Sequence, residues 1–327
     1  MSKTFDVIGF GNALVDVLTQ VDDDFLAAEK IEKGRMILVD KERAEHIHKK
    51  IVPVHSESGG SVANTTVVVA SLGGKASYVG KVMDDDLGKI FTEDMWNHGV
   101  HYTTVPSNGP HPTGRCVSFV TKDAQRTFNT YLGACHALDA EDVDEDHISD
   151  AEIIYIEGYL WDLEAPRQAA VRAIDIAKQS DVKVAFNLSD SFCVDRYRGD
   201  FLGLVKDKID ILICNDSEIA ALYQTNTYED AMPQLLRDCK SGAVTLGSDG
   251  AILISANKAH RIKAMDVNEV VDTTGAGDAF AAGFLYGIAR GIEIEDAGRW
   301  GAAAAAEIIK YYGPKPKQPL QKVVIGD

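Results

Sequence analysis

The chain has 327 residues, 45% hydrophobic and 25% charged, a length and balance that exclude a disordered or fibrous protein and supply core for one large α/β unit with an appendage, or for two domains. Fifty acidic against 33 basic residues leave a net charge of -17, which opposes binding to nucleic acid or to an anionic membrane surface. Five cysteines (116, 135, 193, 214 and 239) lack CxxC spacing, which argues against a disulfide framework or zinc site and fits a reducing cytoplasm; the opening MSKTFDVIGFGNALVDV, interrupted by Asn12 and Asp16, reads as neither signal peptide nor membrane span.

Phe5 to Phe10 is a short apolar run bounded by Gly9 and Gly11, the pattern of a buried strand with a tight exit. Leu14 to Val21, Met36 to Val39, Gly114 to Thr121 and Arg126 to Tyr131 alternate or run short and predict strands of a small separate sheet. Elsewhere strand and helix patterns alternate: Ala76 to Val82 then Leu87 to His98, Glu152 to Glu157 then Ala165 to Gln179, Val182 to Leu188, Asp210 to Cys214 then Ser217 to Tyr223, and Ala243 to Leu246. Such alternation indicates βαβ units and a doubly wound, mostly parallel sheet. The acidic stretch Asp139 to Glu152 lacks the glycine and glutamate that a calcium loop starting at Asp142 needs, since His147 and Ile153 stand there, so it reads as a solvated helix start. The Pro- and Lys-rich tail after Gly313 is expected to lie over the surface.

The strongest local signal is Val270 to Ala282, VVDTTGAGDAFAA, where a strand end leads through Gly275, Ala276 and Gly277 into an apolar helix beginning near Asp278. Glycines let backbone N–H groups approach a ligand, and the first helical turn offers unsatisfied donors at the positive end of its dipole, so the segment suits an anion. A carboxylate beside an anion is repulsive unless it serves the chemistry or the helix. Asp278 is therefore either a base that takes a proton from an attacking hydroxyl or a cap of its own helix. No GxxxxGK[ST] occurs, and Gly9-Phe10-Gly11 lacks the third glycine of a dinucleotide fingerprint.

A second glycine pair, Gly59-Gly60, precedes Ser61 and Asn64. Asn64 offers donor and acceptor to vicinal hydroxyls, although Ser61 could simply cap the helix. Asn12 and Asp16 follow the first strand, where a carboxylate is costly unless hydrogen-bonded, as by a sugar's hydroxyl pair. Asn215 and Glu218 close one strand and open a helix. They fit either an ordinary N-cap or a hydrated magnesium held through water by Glu218. Thr245, Gly247 and Gly250 form a strand, glycine turn and strand that could border a nucleotide.

Taken together, GFGNALVD, SGGSVANT, NDSE, TLGSDGA and DTTGAGDAF resemble, in order and spacing, the ribokinase family, also called the phosphofructokinase B carbohydrate kinases, across nearly the whole chain. The resemblance implies ATP-dependent phosphoryl transfer to an alcohol on a three-layer α/β/α core with a mostly parallel sheet and a small β-sheet lid. The core would comprise 1–12, 41–100 and 132–327, and the lid 13–40 and 101–131. It also implies roles. Asp278 would be the base and Gly275, Ala276 and Gly277 the anion hole. Asn12, Asp16, Gly59, Gly60, Asn64 and Arg126 would meet the acceptor. Asn187, Asn215, Glu218, Thr245, Gly247 and Gly250 would serve ATP and magnesium, and Asp272 and Thr274 resemble a potassium site.

The opening at 11 to 16, FNLS at 186 to 189 and the Arg126 to Ala134 stretch are most similar to the adenosine kinase branch. Phe119, Phe128 and Tyr131 could stack on a base or pack the lid. The expected partners are ATP and a small acceptor, adenosine first and a sugar as the alternative, with no nucleic acid or membrane, for a cytoplasmic monomer or homodimer.

Overall fold

The computed structural model describes residues 3–123 and 125–326. The chain opens with β1 (Phe5–Phe10) and β2 (Leu14–Gln20), then α1 (Asp23–Ala28), β3 (Met36–Leu38), α2 (Lys41–His48), β4 (His55–Gly59) and α3 (Ser61–Ser71). Next come β5 (Ala76–Val79), α4 (Asp86–Asn97), β6 (His101–Tyr102), and the hairpin strands β7 (Gly114–Val120) and β8 (Arg126–Tyr131). Strand and helix then alternate through α5 (Glu145–Ser149), β9 (Ala151–Glu157), α6 (Glu164–Gln179), β10 (Lys183–Asn187), α7 (Ser191–Asp207), β11 (Ile211–Asn215) and α8 (Asp216–Tyr223). The remainder is α9 (Tyr228–Asp238), β12 (Ser241–Thr245), β13 (Ala251–Ser255), β14 (Lys258–Ile262), α10 (Ala276–Ala289) and α11 (Ile294–Ile308).

Nine strands form the large sheet in the order β14-β13-β12-β11-β10-β9-β1-β5-β6, parallel except at β13 and β14. Its middle strands are apolar on both faces because helices cover both. Val7, Ile153 and Tyr155 meet α3 and α10, whereas Ile8, Phe10, Ile154 and Ile156 meet α6 and α7. This is the three-layer α/β/α architecture expected from the alternation of elements.

The second sheet has the order β3-β8-β7-β2-β4. Val15, Val17, Val117 and Phe119 on its outer face pack with Leu26 of α1 and Ile47 of α2, leaving the other face to the interior cleft. Here the expected division of the chain shifts. β4 pairs with β2 and so joins the small sheet, although it falls within 41–100, expected in the core. β6 pairs with β5 in the large sheet, although it falls within 101–131, expected in the lid. The composition of β4, HSESG, hides it: the strand carries polar groups into a hydrogen-bonded interior and shows no hydrophobic alternation.

One open alternative is decided and one expectation is corrected. Phe119 is fully buried on the outer face against Phe25, and the ring of Tyr131 lies under Arg115, so of the three lid aromatics only Phe128 lines the cleft. The tail after Gly313 does not merely cover the surface, since Lys315 is 2% exposed and Leu320 is fully buried. Among the described residues no helix is long and apolar enough to cross a membrane, and all five cysteines are free.

Candidate active site

The carboxyl ends of the central parallel strands deliver polar residues to one edge of the sheet, the place where open α/β sheets bind ligands. Asn12 follows β1, Glu157 ends β9, Asn187 ends β10, Asn215 ends β11, and Thr245, in register beside Asn215, ends β12. The small sheet stands over this edge and encloses a cavity of about 1320 Å³, to which it contributes Asp16, Arg126 and Phe128 while the core contributes Asn64, Glu218 and Asp278.

Two helices begin at the cleft with glycine at positive φ: α3 after Gly60 (φ 103) and α10 after Gly275 (φ 77). Neither has a side-chain cap, whereas α1, α2, α4, α5, α7, α8 and α9 are capped by Asp, Asn or Thr; α6 and α11, also uncapped, do not line the cleft. Thr274 and Asp278, on either side of the start of α10, line the cavity, and although Ala276 N donates to Thr273 O at 3.2 Å, the remaining first-turn N–H groups and the positive dipole end at α10 suit an anion there. No residue with a Cβ fits Gly275 easily, because that atom would lie 2.5 Å from Cβ of Pro314.

Asp278, in the first turn of α10, does not cap that helix. Its Oδ1 accepts from Ser61 Oγ at 2.7 Å and its Oδ2 from Asn64 Nδ2 at 3.3 Å, both on α3. Thr65 Oγ1 donates to its carbonyl at 3.2 Å and so locks the two helix starts together. Burial pushes the Asp278 carboxyl up to about 6, against the lowering effect of the Ser61 and Asn64 bonds.

On the small-sheet side, Asp16 projects from β2 over Gly59, where a side chain would collide with its carboxylate. Burial pushes Asp16 up to about 7; Lys315 and Arg126 pull it down while Glu57 and Asp278 push it further. Buried Asn12 and Asn64 each present an Oδ1 that has no donor among the described residues. Unpaired buried acceptors are costly, and hydroxyl groups of a ligand would supply the missing donors.

Asn215 and Glu218 form a capping box: Glu218 N donates to Asn215 Oδ1 at 2.8 Å, and Asn215 N donates to Glu218 Oε2 at 3.0 Å. Glu218 is buried and pushed up to about 7 by desolvation. Its carboxylate lines the cavity with one backbone or amide bond on each oxygen, an arrangement that fits a hydrated cation through water. No cluster of three or more metal-binding side chains exists among the described residues, so a divalent ion here would be carried chiefly by phosphates. Asn187 reaches Ser61 Oγ at 3.4 Å and accepts from Ser189 N at 3.0 Å. Thr245, Gly247 and Gly250 do not line the cavity; Thr245 sits beside Asn215, which does, and both glycines have positive φ.

Arg126 and the pair Asp272 and Thr274 depart from expectation. The Arg126 guanidinium bonds Asp272 Oδ2 at 2.7 Å and Thr274 Oγ1 at 3.0 Å. Asp272 Oδ1 accepts from Thr274 N and Oγ1, and its Oδ2 also accepts from Gly313 N at 2.8 Å. These side chains therefore do not fit potassium: both carboxylate oxygens are filled, and a guanidinium already supplies the positive charge. Arg126 joins the small sheet to the loop before α10 while still lining the cavity.

Sequence reasoning missed Glu157, which is 1% exposed and accepts from Asn12 N at 2.8 Å, Asn12 Nδ2 at 2.9 Å and Val62 N at 3.3 Å. An acid ending the buried strand AEIIYIE was the available signal. Phe192 and Lys315 were also missed, because neither lies in a recognisable motif.

A model of the pfkB family carbohydrate kinases matches residues 34–320. The chain is 46% identical to a probable sugar kinase protein from Rhizobium etli CFN 42, with a TM-score of 0.91 over 98% of this chain and 97% of that one. It is 44% identical to the adenosine kinase from Sinorhizobium meliloti, with a TM-score of 0.91 over 98% of each chain. It is also 25% identical to a 5-dehydro-2-deoxygluconokinase of Bacillus subtilis over 98% of this chain and 95% of that protein. A glycine-led helix start whose Asp278 carboxylate meets a second glycine-led helix start at the cleft, in a chain matched along most of its length, makes this protein a member of the pfkB family of carbohydrate kinases.

Proposed function

We propose that the protein transfers the γ-phosphoryl group of ATP to the 5′-hydroxyl of a purine nucleoside, adenosine first. The observation that carries this reading is an apolar opening beside the polar floor: Met36 is 45% exposed, Leu38 50% and Phe192 68%, and Met36 and Phe192 line the main cavity with half-buried Phe128. Exposed apolar side chains bordering a cavity suit a flat base, whereas a simple sugar would leave them wet. The extensive likeness to the adenosine kinase from Sinorhizobium meliloti supports the same choice. The resemblance to 5-dehydro-2-deoxygluconokinases supports a sugar-acid acceptor as the second reading.

In this mechanism Asp16, Asn12 and Asn64 hold ribose hydroxyls, and Asp278 removes the proton of the attacking hydroxyl in line with the γ-phosphorus. The Gly275–Gly277 bend, through the amides of Gly275 and Gly277 with Ala276 N held by Thr273 O, stabilises charge developing on the transferred group. Asn215 and Glu218 would hold a hydrated magnesium ion from the protein side, and such an ion would supply neutralisation of phosphate charge. The small sheet excludes water and so limits hydrolysis of ATP.

Initial rates with adenosine, guanosine, inosine, ribose, fructose and 5-dehydro-2-deoxygluconate, read by coupled ADP release, test the acceptor. Adenosine is expected to give the highest kcat/KM; a preference for any of the three sugars would reject the nucleoside reading.

Gly275→Ala tests the anion loop. The new methyl meets Pro314, and φ of 77 strains any residue with a Cβ. We expect stability to fall by about 1–3 kcal/mol and kcat by at least roughly 10-fold, measured by chemical denaturation and steady-state kinetics. Unchanged turnover would separate the loop from catalysis.

A further inference from the structure

We propose that Lys315 is a positioning residue for the acceptor-binding carboxylate, carried on a strap, Gly313–Lys315, that ties the phosphate side of the cleft to the acceptor side. The strap touches both halves of the chemistry. Gly313 N donates to Asp272 Oδ2 at 2.8 Å, and Pro314 lies against Gly275 at the start of the anion loop. One residue later the Lys315 chain turns inward, and its Nζ donates to Ser58 Oγ at 2.7 Å, bonds Asp94 Oδ2, and stands 3.9 Å from Glu57 Oε2.

A lysine only 2% exposed must be compensated, and its surroundings supply more acid than it can neutralise. Glu57 is the direct cross-strand partner of Asp16, and Ser58 precedes the Gly59 over which Asp16 lies. The charged and titratable groups around this point are Asp16 on β2, His55 and Glu57 on β4, Asp94 and His98 on α4, Arg126 and Cys116 from the neighbouring lid strands, and Asp278 on α10. His55 and His98 approach Glu57 and Asp94 rather than Asp16. Among the charges that lower Asp16's affinity for a proton Lys315 ranks first, ahead of Arg126, which is itself occupied by Asp272. Lys315 thus does two things: it pins β4 beneath Asp16, and it offsets part of the burial that favours a proton on Asp16, so that more of the carboxylate is ionised and able to accept from two hydroxyls.

This inference rests on the reading that Asp16 binds the acceptor. The test measures KM for the fastest panel acceptor, and for ATP, from pH 6 to pH 9 in the full-length enzyme. Lys315→Met removes the cation, so Asp16 takes up a proton at neutral pH and regains its charge only in alkali. Acceptor KM should rise about 10-fold at pH 7, with the gap to wild type narrowing to roughly 3-fold by pH 9 and ATP KM unchanged. Lys315→Arg should restore most of the loss. Glu57→Gln, which deletes a like charge facing Asp16, should move the pH profile the opposite way and serves if Lys315→Met folds poorly.

An acceptor KM for Lys315→Met within about 2-fold of wild type, or a gap of constant size at every pH, would overturn the inference, as would a Glu57→Gln profile displaced toward alkali. Asp16→Asn separates the two levels. If it raises acceptor KM while Lys315→Met does not, the inference alone falls; if Asp16→Asn leaves acceptor KM unchanged, the assignment of Asp16 falls and takes the inference with it.

Discussion

Replacing Asp278 by Asn is expected to lower kcat by about 100- to 10,000-fold while leaving the Kd for ATP within roughly 2-fold of wild type. The expectation follows from where the carboxylate is held. Had Asp278 been a helix cap, its oxygens would meet amides of its own first turn; instead they face Ser61 and Asn64 across the cleft. An asparagine keeps the acceptor oxygen for Ser61 and most of the packing, yet it cannot take a proton. Burial pushes the aspartate to about 6, so most molecules hold the ionised base at pH 7, with more driving force for proton abstraction than an ordinary carboxylate has. The pH dependence follows with a definite sign: kcat of the wild type at saturating acceptor should fall as pH drops through about 6, when Asp278 takes up a proton, and the residual kcat of Asp278→Asn should lack that limb. A variant retaining more than about a tenth of wild-type turnover would remove Asp278 from the base role.

The parts of this site legible in the sequence are those whose chemistry is local. The run from Gly275 to Asp278 needs only a glycine bend and a helix start, and Gly59, Gly60 and Asn64 repeat that form, so both could be read from spacing. The doubly wound core is legible for the same reason, because each βαβ unit carries its own period. What escaped is long-range. Arg126 lies 148 positions from Thr274 and Ser58 lies 257 from Lys315, so no window contains either pair. β4 escaped because its side chains serve an interior polar network and break the alternation by which strands are recognised. The tail misled through composition: prolines and lysines usually lie outside, and only the acids at 57 and 94 give Lys315 a reason to be buried.

Glu157 illustrates the same lesson and carries the second large effect. It is sealed beneath the acceptor floor, where Gly11 leaves room for it, since a Cβ there would lie 2.5 Å from Oε2. Its carboxylate gathers both donors of Asn12 and the amide of Val62, and so fixes the residue whose free Oδ1 faces the proposed acceptor. Glu157→Leu strands these donors in an apolar interior, at a cost on the order of 3–5 kcal/mol, and should also raise acceptor KM by releasing Asn12. Glu157→Gln isolates the charge. Burial pushes Glu157 up to about 7 from an ordinary 4.5, against the bonds from Asn12 and Val62 that favour ionisation. The folded enzyme therefore keeps a proton that the unfolded chain releases. The stability conferred by this group is complete below about pH 4.5 and is lost as pH rises to about 7, a loss on the order of 3 kcal/mol. The glutamine variant does not titrate. Its disadvantage relative to wild type, set by an amide nitrogen facing the Val62 N–H, should be largest near pH 4.5 and shrink by up to that amount toward pH 8. Denaturation midpoints taken in parallel at pH 5 and pH 8 decide the matter, because every other buried acid is common to both proteins and cancels. A constant gap between them would mean that Glu157 ionises as it does in the unfolded chain, and that Asn12 is anchored by a charge already present in acid.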